Sequence, residues 1–109
     1  MKAILTDKRA FTVISDRDVI VLVKMDLYKI QGKEAKEHPG GFRFSWIAFN
    51  AENPSEKVLF DSHPPKGPHF HLNNDSLGVS FKWESLEKTE KLFFELVSQH
   101  FNIKPESLT

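Results

Sequence analysis

Phe42-Arg43-Phe44-Ser45-Trp46-Ile47-Ala48-Phe49-Asn50 is the stretch whose reading decides the fold. Side chains alternate along an extended chain, so Phe42, Phe44 and Trp46 share one face, with Arg43, Ser45 and Ile47 on the other. A ring stripe backed by a mixed face is the pattern of a strand buried on one side. The rings also have the look of a base-stacking platform, but in a chain this small, packing into a core is their expected use.

Outward from this strand, Ala51 to Glu56 contains Asn-Pro and reads as a turn, and Lys57 to Asp61 reads as the next strand. Towards the N-terminus, Lys2 to Thr6 and Ala10 to Ile14 read as short strands. The polar turn Ser15-Asp16-Arg17-Asp18 then leads into Val19-Ile20-Val21-Leu22-Val23. That run is apolar on both alternating faces, which predicts a central strand covered on both sides and continuing less regularly to Ile30. Gln31 to Gly41 is polar and predicts a connection, and Val79 to Trp83 predicts a last strand.

Ser85 is a good helix N-cap, with Glu87 favourably placed in the first turn. Leu86, Thr89, Phe93, Leu96, Val97 and His100 recur at three- and four-residue steps, which predicts an amphipathic helix from Leu86 to His100. Pro105 opposes its continuation. The expected fold is α+β: an antiparallel β-sheet of about five strands, with the C-terminal helix packed on one face, in a single domain over residues 1–109.

Composition narrows the function classes. The chain has 109 residues, 39% hydrophobic and 28% charged, as in ordinary globular proteins. Ten phenylalanines imply an aromatic core. The formal net charge is zero, so attraction for a polyanion has to come from a local patch. There is no cysteine, which excludes disulfides, thiol catalysis and cysteine-ligated zinc. The longest aliphatic run, Val19 to Val23, is far short of a membrane span, and the first residues lack a signal-peptide core. A cytoplasmic protein without membrane association is the expectation.

Chemistry concentrates in Asp61-Ser62-His63-Pro64-Pro65-Lys66-Gly67-Pro68-His69-Phe70-His71. Histidine exchanges protons near neutral pH and its neutral ring binds transition metals. Three prolines stiffen the loop that carries these side chains. If residues 69 to 72 are extended, His69 and His71 project to one side and Phe70 and Leu72 to the core. Two imidazoles flanking a phosphodiester act as base and acid without a metal, with Lys66 or Arg43 supplying the cation. Alternatively, the pair chelates an ion, with Asp61 or His63 as further ligands. The plain alternative is a polar exposed face. His38 and His100 read as structural.

The run Lys57-Val58-Leu59-Phe60-Asp61-Ser62-His63, followed by Lys66-Gly67-Pro68-His69-Phe70-His71, resembles the signature of the TumE-type family. Its members are small proteins on the toxin side of bacterial and archaeal type II toxin–antitoxin systems. About fifteen residues carry the motif, and the order of elements is similar over most of the chain. Ser62 stands where the family usually has Asn, Phe70 where a basic residue is frequent, and the polar segment between Lys29 and Phe42 is longer. The resemblance implies an RNA target and a cognate antitoxin as partner. With the residues above, it leads to a metal-independent ribonuclease with no cofactor. His69 and His71 would then be the acid–base pair, Lys66 the stabiliser of phosphate charge and Asp61 the orienter of one imidazole. His63 and Arg43 would bind substrate. A non-catalytic interaction or metal-binding module is the competing expectation, and homo-oligomerisation is compatible with either.

Overall fold

Among the described residues, six strands, β1 (Lys2–Ile14), β2 (Ile20–Gln31), β3 (Phe42–Asn50), β4 (Asn53–Asp61), β5 (His69–Leu72) and β6 (Val79–Ser80), precede one α-helix, α1 (Leu86–Phe101), and short 3-10 turns occur outside these elements. The structure, a computed structural model, describes residues 2–108. Met1 and Thr109, the ends of the expected domain, lie outside the described residues. Each strand pairs antiparallel with the next in sequence, so the sheet is a meander in the order β1-β2-β3-β4-β5-β6. Connections this short leave antiparallel pairing as the available arrangement. The α+β layout is the expected one, with six strands rather than about five.

The helix covers one face. Val21, Val23, Met25 and Leu27 of β2, Phe44, Trp46 and Ala48 of β3, and Val58 and Phe60 of β4 meet Phe93, Val97 and Phe101 of α1 in a single core. The Phe93 ring sits 5.6 Å from Trp46 and 5.2 Å from Phe60, edge-on to the latter. The β3 ring stripe is therefore core rather than a base platform, with Phe44 and Trp46 fully buried. Ser85 caps α1 as expected, its side chain accepting from the Lys88 N–H at 3.1 Å.

Several strand readings change. The two short N-terminal strands are one continuous β1, with a register shift between Leu5 and Asp7. An edge strand tolerates the charged Asp7-Lys8-Arg9 link because one of its sides faces water. The strand expected to be central and doubly covered lies next to the edge and is covered on one side. Val21 is buried, whereas Ile20 is 41% exposed. The turn expected at Ala51 to Glu56 shrinks to two residues, and Asn53 and Pro54 begin β4. The last strand is reduced to Val79–Ser80.

α1 leaves the opposite face of the sheet open, although Ile30 at the end of β2 is buried on it. Cross-strand partners share a face, and one polar row runs Lys8, Asp26, Ser45, Asp61, His69, Ser80 across all six strands. The next row runs Ala10, Lys24, Ile47, Leu59, His71. Among the described residues no helix is long and apolar enough to cross a membrane.

Candidate active site

Both histidines of β5 reach the bare face because the β4–β5 register sets Asp61 opposite His69 and Leu59 opposite His71. The pleat turns Phe70 to the helix side, where its ring stacks on Phe60 at 5.4 Å. The imidazoles of His69 and His71 touch, with centroids 5.0 Å apart and planes at 87°. This is the same-side geometry that an extended segment requires. Depth departs from expectation: His69 is buried at 5% exposure, whereas Phe70 and Leu72 are only half-buried. Strand neighbours on both sides, Asp61 on β4 and Ser80 on β6, enclose His69.

Each ring is held by a backbone carbonyl. His69 Nδ1 lies 2.7 Å from the Gly67 oxygen and His71 Nδ1 2.7 Å from the Asp75 oxygen. A carbonyl can only accept, so both Nδ1 atoms carry the proton and donate it. In the neutral ring the basic lone pair is then on Nε2. Neither Nε2 is hydrogen-bonded to another described residue. Two imidazoles side by side, each with its tautomer set and Nε2 unengaged, can take up and deliver protons at one bound molecule.

The carbonyls come from two loops that brace each other. Asp61 Oδ1 accepts the His63 N–H at 3.0 Å, and the Gly67 N–H donates back to the His63 oxygen at 3.2 Å. The Lys66 ammonium donates to the Leu77 oxygen at 2.5 Å, tying this loop to the following one. In that second loop Asp75 Oδ1 accepts the Leu77 N–H at 3.1 Å. Ser62 anchors the first loop: it is fully buried and its Oγ accepts the Phe44 N–H at 2.9 Å. Gly78, which the sequence reading passed over, packs its backbone against the His71 ring.

The expected site residues separate into two groups. His69, His71 and Asp61 stand on one face with direct cross-strand neighbourship between Asp61 and His69. Asp61, however, spends an oxygen on the His63 backbone, and carbonyls orient the rings in its place. Lys66 lies exposed at the rim with its ammonium on Leu77, and His63 is exposed in the loop. Arg43 shares the face but pairs with Tyr28, one two-residue step along β3 from the row that holds His69. His38 is buried, and His100 Nε2 meets Asn73 Oδ1 at 2.8 Å, so both are built into the fold.

No group of three or more His, Asp or Glu among the described residues is arranged to hold a metal ion. A concavity of about 790 Å³ lies away from the histidines between α1, β1 and the C-terminal segment, over Phe94 and Leu108. There Arg9 donates to Glu90 at 2.6 Å, and this hydrogen bond raises the pKa of the guanidinium above its ordinary value. Neither His69 nor His71 lines that groove. Compared with known proteins, the chain matches no family model, no curated protein and no solved structure.

Proposed function

We propose that the protein is a toxin-like, metal-independent ribonuclease. The observation that carries the reading is the ring contact of His69 and His71 on a bare sheet face, with both Nδ1 atoms tied to carbonyls. In the reaction, one neutral imidazole takes the proton of an RNA 2′-hydroxyl through Nε2. The resulting alkoxide attacks the adjacent phosphorus. The second imidazole, protonated at Nε2, gives that proton to the departing 5′-oxygen. A 2′,3′-cyclic phosphate and a 5′-hydroxyl result, and the two rings have exchanged protonation states. Lys66, released from the Leu77 carbonyl, offsets charge on the phosphate oxygens, while His63 and Arg43 hold the flanking strand. The likeness of Lys57 to His71 to the TumE-type motif supports pairing with a cognate antitoxin.

One observation favours a second reading, a non-catalytic interaction module. Lys66, Asp61 and both Nδ1 atoms all have internal partners, as in a loop built only to be rigid.

Cleavage of a labelled RNA with and without EDTA separates the two. Expected is cleavage that survives chelation, has a bell-shaped pH dependence, and is absent in His71→Ala. Equal activity in His71→Ala removes the site. Activity that disappears with EDTA and returns with added metal replaces the metal-free mechanism.

A further inference from the structure

The bare face carries aromatic rings as well as the histidine pair. Along the strands, four rows of cross-strand neighbours follow one another. They are Tyr28 with Arg43, then Asp26 with Ser45, Asp61 and His69, then Lys24 with Ile47, Leu59 and His71, and last Leu22 with Phe49 and Lys57. Aromatic rings thus occur in the first and last rows, and the histidines occupy the two between. Successive rows are two residues apart, about 7 Å, so the two rings stand about 20 Å apart along the strands. The imidazoles lie at an intermediate height but two strands beyond β3 across the sheet, on β5.

Each ring is accompanied by cations. Tyr28 and Arg43 are direct partners across β2 and β3. The Lys24 ammonium hangs over the Phe49 ring at 5.8 Å from its centroid, and Lys57 is the cross-strand partner of Phe49. Both rings are half-buried, and Lys24, whose ammonium lies over the Phe49 ring, is exposed. The facing carboxylates are Asp26 and Asp61, against Lys8, Lys24, Arg43 and Lys57 from the same four strands. A chain of zero net charge therefore carries a locally basic, ring-bearing strip.

Rings that accept stacked bases, interleaved with cations that meet the backbone, are the recognition elements of unpaired nucleic acid. In a duplex the base faces are already occupied by their neighbours. We infer that the bare sheet face is a track for single-stranded RNA. Tyr28 and Phe49 each stack a base, and the few nucleotides that span the distance between them run alongside His69 and His71, which stand two strands beyond β3, on β5. The identity of the nucleic acid as RNA rests on the ribonuclease reading; the track itself is tested by binding alone.

The test uses the full chain and a fluorescent 2′-O-methyl single strand, which cannot be cleaved, beside the same sequence annealed into a duplex. Anisotropy is expected to show the single strand bound in preference to the duplex. Phe49→Ala and Tyr28→Ala should each weaken it by about 5- to 150-fold, the range for losing one stacked base. Phe49→Leu keeps apolar volume while removing the ring, so it should weaken binding with less effect on melting temperature. Lys91→Ala, on the outer side of α1, should bind as the parent does. Equal binding of duplex and single strand, or ring variants that bind as tightly as the parent, overturn the track. If natural RNA is still cleaved in that case, the ribonuclease reading stands without it. Ring-dependent binding of the single strand with no cleavage of natural RNA keeps the track and ends the ribonuclease reading.

Discussion

At Gly78 a β-carbon would lie 2.8 Å from Cε1 of His71 and 3.0 Å from the Phe70 carbonyl oxygen, and φ is +74°. Both the contact and the backbone conformation require glycine there. Gly78→Ala should displace the imidazole from the Asp75 carbonyl and cost about 1–3 kcal/mol of stability from the strained φ. Gly41, with φ +79° and nothing within 4 Å of the added carbon, supplies the control. Gly41→Ala should lose comparable stability, measured by denaturant titration, while keeping RNA cleavage. Gly78→Ala should lose both, and cleavage equal in the two variants would show that the packing against His71 is immaterial. The histidines were legible in the sequence because three of them with a lysine in one proline-rich loop is an unusual concentration. Gly78 and the Gly67 and Asp75 carbonyls were not legible. Every residue has a carbonyl, and only the folded path of two loops decides which of them meets an imidazole.

Element by element, α1 was the most legible part, since its cap and its three- and four-residue spacing are local signals. Thr89, Phe93 and Val97 are buried as that spacing requires, and the helix runs one residue past His100. Phe93→Ala empties an aromatic site against Trp46 and Phe60, and it should cost about 3–5 kcal/mol in equilibrium unfolding. A loss below about 1 kcal/mol would mean that the helix does not seat on the sheet through this ring. The strands were less legible. Asp7-Lys8-Arg9 breaks the hydrophobic pattern of β1, yet pairing with Leu27, Asp26 and Met25 of β2 carries the strand through. Conversely, the apolar alternation of Val19 to Val23 suggested cover on both faces. Leu22 in fact belongs to a bare face, where a half-exposed apolar residue is tolerated.

For the molecule as a whole, zero net charge and a sequence pI near 7.0 predict no long-range pull on RNA. The arrangement of charge on the bare face predicts a short-range one. If Lys24, Arg43 and Lys57 each neutralise a phosphate, the plot of log affinity against log salt should have a slope of about −2 for a single strand. A slope near zero would remove these cations from binding. The sequence by itself determined the α+β class, the capped helix, the aromatic core, and the side of β5 on which His69 and His71 stand. These follow from side-chain alternation and helical period, which each segment sets through its immediate neighbours. Only the tertiary structure decided which strand lies at the edge and how deeply His69 is enclosed. It alone decided too that Tyr28 and Phe49 share a face with the histidine pair, because register joins residues far apart in the chain and no local pattern encodes it.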